Sequence, residues 1–356
     1  MLITRINESA QQVWPPFVLV SGLLMIGVVA HADGLFESAG RVLERLPGPP
    51  AALLCAGIVL VAVVTAILNL DTAVVFLTPV LVLAARARQV DERPFLYGAV
   101  YLANASSLYL PGSNLTNLLV LAHTPLSGGT FAAQMLGPAL AATVVTAAGV
   151  LLLFRRELRG GRRGRASTAV REGSAGIGLC AATAAAGLTL ALANPALPVL
   201  GVGVVAVGLQ VARGRLVLSQ VVRALGPIAL GTLLLASVAL GTLARAWDGP
   251  AQLLAGAGRW ETAAIASLGA IAVNNLPASV LLSARAPAHP RALLIGLDLG
   301  PNLAVSGSLA AYLWLRAARQ VGARPSITAF SRRGVVLAPL AIVGALLAAT
   351  ALGAPG

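Results

Sequence analysis

Two stretches in the second half of the chain put polar chemistry where the surrounding sequence is apolar. Val273-Asn274-Asn275-Leu276-Pro277 and Asp298-Leu299-Gly300-Pro301-Asn302, with Ser306-Gly307-Ser308 just beyond, interrupt runs hydrophobic enough for a lipid bilayer. Asparagine, aspartate, glycine and proline facing lipid would leave polar groups without partners, so such breaks are tolerated only inside protein or along a wet cavity. A site for a solute or an ion has those properties. Asn274, Asn275 and Asn302 supply neutral donors and acceptors, Ser306 and Ser308 supply hydroxyls, and Asp298 supplies a carboxylate.

The first half carries the same device. Leu68-Asn69-Leu70-Asp71-Thr72 breaks one apolar run, and Pro111-Gly112-Ser113-Asn114-Leu115-Thr116-Asn117 breaks the next. Asn69-Leu70 aligns with Asn275-Leu276 and Gly112-Ser113 with Gly307-Ser308, each pair roughly 200 residues apart, and paired interruptions in two halves point to a secondary transporter built from repeats.

An ionisable group within the bilayer costs on the order of 3 kcal/mol on insertion scales, so Asp71 and Asp298 each need a reason. Either can cap a helix, Asp71 the run from Ala73 to Ala85 and Asp298 a short helix after Gly300-Pro301. Capping and function are compatible, because a cap in a membrane cavity also aims a positive helix end at the site. The set Asn69, Asp71, Thr72, Ser113, Asn114, Thr116, Asn117, Asn274, Asn275, Asp298, Asn302, Ser306 and Ser308 suits an oxyanion or an uncharged polyhydroxyl solute. For any one asparagine the alternative is an ordinary kinked helix. A proton-driven exchanger needs a group that changes charge within the bilayer, and Asp298 is the first expectation, with Asp71 as the alternative proton or sodium site.

Composition sets the class. Hydrophobic residues make up 58% of the 356 and charged residues only 10%, with a mean hydropathy of +0.87, so the lipid bilayer is the main partner. All 25 basic residues are arginines in short loops, where they orient the chain and meet lipid headgroups rather than nucleic acid. Cys55 and Cys180 read as small buried hydrophobes. The three histidines, His31, His123 and His289, are far apart, so no metal site is expected. No phosphate-cradling loop, nucleophile elbow or zinc motif is present, so the chain is not read as an enzyme and ATP-driven transport would need a separate subunit.

The expected fold is an all-α polytopic membrane protein, with about ten membrane-crossing units in two inverted repeats, re-entrant hairpins and broken helices. Residues 1–154 form the first repeat with an N-terminal scaffold helix, 155–174 an Arg-rich cytoplasmic linker, and 175–356 the second repeat with its scaffold helices.

Asn274-Asn275-Leu276-Pro277, Asp298-Leu299-Gly300-Pro301-Asn302, Gly307-Ser308-Leu309-Ala310 and Leu313-Trp314-Leu315 resemble the second half of bacterial arsenite/antimonite efflux permeases. Asn69-Leu70-Asp71-Thr72-Ala73, Leu77-Thr78-Pro79 and Ser113-Asn114-Leu115-Thr116-Asn117 resemble that family's other repeat, within a superfamily that includes sodium/dicarboxylate symporters. Against that family the chain begins about two helices late, and its Asn69-Leu70-Asp71 replaces an adjacent Asn-Asp. The resemblance implies arsenite efflux, driven by proton exchange or by a cytosolic ATPase subunit, and a homodimer. With the only cysteines in apolar helices, arsenite would be held as a neutral hydroxide through Asn, Ser and Thr. The alternatives are a sodium-coupled symporter of a dicarboxylate or inorganic anion, disfavoured by the Ser-Asn-Leu against Gly-Ser-Leu asymmetry, and a non-transporting membrane subunit.

Overall fold

The computed structural model describes residues 2–122, 126–159 and 176–351. His123 and most of the Arg-rich linker, including Ser167, lie outside the described residues. Among those described, regular structure is helical throughout: α1 Leu2–Ala32, α2 Leu35–Arg45, α3 Pro50–Ile67, α4 Leu70–Ala87, α5 Arg93–Ser106, α6 Leu115–Leu121, α7 Gly128–Leu153, α8 Arg155–Arg159, α9 Ile177–Ala191, α10 Ala196–Ala212, α11 Leu218–Leu225, α12 Pro227–Ala246, α13 Gly249–Ala255, α14 Arg259–Val273, α15 Asn275–Leu282, α16 Pro290–Leu299, α17 Leu309–Gln320 and α18 Ile327–Ala351.

Hydrogen bonds at the helix ends fix which way each element runs. The Arg88 guanidinium, just past α4, donates to the carbonyls of Glu44 (3.1 Å) and Gly48 (3.2 Å), just before α3, so α3 and α4 form a hairpin that returns to the end it entered from. Arg285, just past α15, pairs with Asp248 between α12 and α13, which returns the α14–α15 hairpin to the opposite end. The interrupted pairs α5–α6 and α16–α17 cross in opposite directions. Tyr97 Oη near the start of α5 accepts from Ser326 N–H (3.0 Å) before α18, and Trp314 Nε1 in α17 donates to the Leu96 carbonyl (2.8 Å).

The element order α1, α3–α4, α5–α6, α7 therefore recurs as α12, α14–α15, α16–α17, α18 with inverted direction, the inverted-repeat fold expected from the sequence. The contacts follow that symmetry: the counterparts α1 and α12 pack together, as do α7 and α18, and the contact of α4 with α17 is matched by that of α15 with α6. Between the repeats lie α9 and α10, which pack on α1, and the amphipathic α11.

Small residues allow these contacts, as bilayer packing requires. A Cβ added at Gly22 of α1 would sit 2.8 Å from Leu200 backbone in α10, and one at Gly178 of α9 would sit 2.4 Å from Ala30 backbone. The outward surface is apolar, with Leu235 72% and Leu268 66% exposed, as lipid-facing helices demand. Cys55 and Cys180 lie exposed among such residues, not buried as the sequence suggested, because α3 and α9 each turn one face outward.

Candidate functional site

Each hairpin tip meets the interruption of the broken crossing in its own repeat. Ser113 Oγ donates to the Ala66 carbonyl (3.1 Å), and Ser306 Oγ donates to the Ile271 carbonyl (3.2 Å). Those carbonyls stand three residues before Asn69 and Asn274, the residues that cap α4 and α15. The structure thus pairs Ser113 with Ser306 and Asn69 with Asn274, a different register from the Asn275 and Ser308 pairing read from sequence. Cap position and the serine bond set that register, and neither shows in residue identity alone.

The helices leaving the breaks start on side-chain caps. Asn69 Oδ1 accepts from Thr72 N–H (2.7 Å), Asn114 Oδ1 from Thr116 N–H (3.2 Å), Asn274 Oδ1 from Leu276 N–H (3.3 Å) and Ser308 Oγ from Ala311 N–H (3.2 Å). Such caps satisfy orphan helix donors. Neither acid is a cap. Asp71 sits in the first turn of α4, half-buried, with no hydrogen bond or ion pair among the described residues. Asp298 sits in the last turn of α16 and is fully buried.

Asp298 reaches across to the first repeat. Its Oδ1 accepts from Asn114 Nδ2 (2.9 Å) and its Oδ2 from Ser107 Oγ (2.9 Å). Alongside, Asn104 Nδ2 donates to Asn302 Oδ1 (2.7 Å), and Asn302 Nδ2 to the Tyr101 carbonyl (3.3 Å). Asn117 Nδ2 donates to the Ser107 carbonyl (2.8 Å) and so spans the unwound turn. A carboxylate, four amides and a hydroxyl from both repeats thus form one buried cluster. Asn274 Nδ2 donates to the Ser306 carbonyl (3.2 Å) in the second repeat's own break, and Asn275 is buried beside it.

Several buried polar atoms around the breaks have no protein partner among the described residues: Asn69 Nδ2, Thr72 Oγ1, Asn104 Oδ1, Thr116 Oγ1 and Asn117 Oδ1. The one buried arginine in the described residues, Arg88, is spent on carbonyls at the hairpin base. The chemistry available at the breaks is therefore amide, hydroxyl and two carboxylates, Asp71 and Asp298, without a fixed cation among the described residues.

A sequence model of the family described as "Citrate transporter" matches residues 2–307. The chain belongs to that family. It is a family of secondary transporters rather than enzymes, so this member is a polytopic membrane transporter. The arsenical pump membrane protein of Escherichia coli (strain K12) is 27% identical over 382 residues, covering 96% of this chain and 86% of that protein. Two further alignments are shorter. The silicon efflux transporter LSI3 of Oryza sativa subsp. japonica is 27% identical over 147 residues, and the arsenical pump membrane protein of Yersinia enterocolitica is 29% identical over 150. These cover 30% and 35% of those relatives' lengths. In fold, the chain is similar to the Alcanivorax borkumensis YdaH transporter, with a TM-score of 0.61 at 17% identity over 99% of this chain and 88% of that one.

Sequence reasoning missed Ser107, Asn104 and Tyr101. The signal was an asparagine and two serines late in the apolar run Phe95 to Leu110, polar groups that need partners inside a bilayer. It also missed two open cavities in this citrate transporter family member, one beside each end of α1. One of about 920 Å³ lies between Pro111, Leu118, the α9–α10 turn, Arg5, Arg245 and Arg285. The other, about 530 Å³, lies between His31, Val75, Leu313, Arg215, Arg223 and Arg316.

Proposed function

We propose that the chain exports a small uncharged inorganic hydroxide, arsenite or antimonite first, across the cytoplasmic membrane in exchange for protons. The observation that carries this reading is the lining of the breaks, where amides and hydroxyls with unspent atoms stand with two carboxylates, Asp71 and Asp298, and no buried guanidinium among the described residues. Arsenite at neutral pH is an uncharged trihydroxide and silicic acid an uncharged tetrahydroxide. Relatives named for arsenicals and for silicon therefore share a ligand chemistry that amides and hydroxyls can bind.

The arginine-rich end of the bundle, with Arg41, Arg86, Arg93, Arg155, Arg213 and Arg316, faces the cytoplasm in this reading. The hairpins deliver helix N-termini toward the solute, and Asp298 takes the proton. Proton exchange replaces the ATPase subunit as driving force, and a homodimer would cover part of the exposed apolar surface.

A carboxylate is the second reading. The family description and the three arginines around the larger cavity favour it.

Flux of arsenite, antimonite, citrate and sulfate into liposomes carrying the purified chain, under imposed proton and then sodium gradients, separates these readings. Proton-driven arsenite or antimonite flux is the expected result; citrate flux alone selects the second reading, and silence for all four favours a non-transporting subunit. Cys55→Ser with Cys180→Ser should leave arsenite flux within about twofold, because both thiols point outward. Loss of flux in a folded double variant would mean that thiolates capture the metalloid.

A further inference from the structure

The buried cluster holds a hydroxyl with more acceptors than protons. Ser107 Oγ lies 2.8 Å from the Asn104 carbonyl oxygen and 2.9 Å from Asp298 Oδ2. A serine hydroxyl carries one proton and can satisfy one of these at a time. Asn114 Nδ2, 2.9 Å from Asp298 Oδ1 and 3.4 Å from Ser107 Oγ, holds the two side chains together.

The proton count follows from the charge on Asp298. An ionised carboxylate only accepts, so Oδ2 takes the Ser107 proton and the Asn104 carbonyl goes without it. Once Oδ2 is protonated, the carboxyl O–H donates to Ser107 Oγ, and the serine proton turns to the Asn104 carbonyl. One proton enters, one hydroxyl rotates, and no covalent bond other than the new O–H changes.

We propose that Ser107 is a proton-linked positioning residue, whose hydroxyl swings between Asp298 and the Asn104 carbonyl and so transmits the charge of α16 to the end of α5. Asn104 is the receiver that matters, because its amide donates to Asn302 and ties the two broken crossings together. The proposal rests on the proton-exchange reading above.

Other ionisable groups on α16 and the elements packed against it stand apart. Arg291 is at the start of α16, Arg259 and Glu261 are at the start of α14, and Arg332 and Arg333 are in the first turns of α18, while α6 and α15 carry none. On α5, Arg93 pairs with Asp91, Tyr97 meets Ser326, and the Tyr101 hydroxyl donates to the Phe330 carbonyl (2.6 Å).

Infrared difference spectroscopy of the full chain in lipid nanodiscs, titrated with acid and base in the absence of any solute, tests the switch. Wild type should show a protonated-carboxyl band that Asp298→Asn removes. Ser107→Ala should change the frequency of that band and move its midpoint by about one pH unit or more, the worth of one hydrogen bond to a charged group, while Ser107→Thr restores both. A Ser107→Ala band with wild-type frequency and midpoint overturns the proposal. If Ser107→Ala does not assemble, Ser107→Cys, a weaker donor, should give the same change in smaller measure, and its absence overturns the proposal equally. A wild type without an Asp298 band sinks the switch and proton coupling together. The spectral signature without proton-driven arsenite flux supports the switch and removes only the transport reading.

Discussion

The two hairpin tips use one backbone device in two different settings. In the first repeat Asn69 is extended at φ −173° and only 2% exposed, and every residue from Pro111 to Asn117 is buried. In the second, Asn274 takes φ 76° and ψ 148°, a region that is essentially glycine's, and Ser306 beside it is exposed. The cover explains the difference. A Cβ at Gly112 would meet Leu23 of α1 and Thr189 of α9 at 3.4 Å, so α1 and the inserted α9 close over the first break. The counterpart of α1, α12, has no such insertion over it among the described residues and leaves Ile228 85% exposed.

Repeats that share topology thus divide the work. The carboxylate of the second repeat is buried against the covered break, while the strain sits at the uncovered tip. Strain of this kind costs on the order of 1–3 kcal/mol and persists only where neighbours over-determine it, here through the Asn274 bonds to Leu276 and Ser306. An uncovered, strained tip is the one suited to move when a solute arrives.

The sharpest test of this division compares Asp298→Asn with Asp71→Asn. Asp298 has two bonds to a charged group, each worth about 1.5–3 kcal/mol, so its loss should cut proton-driven flux by about 100-fold or more while gradient-free exchange survives. Asp71, half-buried and without a partner among the described residues, should lose less than about tenfold. Equal losses, or unchanged pH-dependent flux in Asp298→Asn, would show that the covered break is not the coupling site.

Packing inside the second repeat, between α18 and its break, should give the next largest effect. A Cβ at Gly334 of α18 would fall 1.8 Å from the Asn302 carbonyl oxygen, whereas nothing lies within 4 Å of one at Gly187 on α9. Gly334→Ala should cost about 1–3 kcal/mol or more and lower the thermal midpoint in detergent; Gly187→Ala should be neutral or gain up to about 1 kcal/mol. A tolerated Gly334→Ala would mean that α18 and the second break can separate freely.

The smallest difference should separate the tips themselves. Glycine removes a side-chain cap at a cost of only a few tenths of a kcal/mol, but it also relieves backbone strain where φ is positive. Asn274→Gly is therefore expected to leave the thermal midpoint unchanged or slightly raised, and Asn69→Gly to lower it. The reverse order would show that the tip at Asn274 is not strained.

The sequence alone determined that the chain lives in a bilayer, that four polar breaks pair up between two halves, and which side chains are present to do chemistry. These follow from local facts, since apolar runs of bilayer length and helix-breaking residues act within a few positions of themselves. Asn69, Asn114, Asn274 and Ser308 were legible as break residues because a cap bonds to its own helix. That Asp298 is no cap, that Ser107 and Asn104 are its surroundings, and that Ser113 pairs with Ser306 were decided only by the tertiary structure. Each depends on which hairpin returns to which end, and on an insertion that covers one break and not the other. The contacts of Asp298 join residues nearly two hundred positions apart, and no local pattern in an alanine- and leucine-rich chain encodes a partner at that distance.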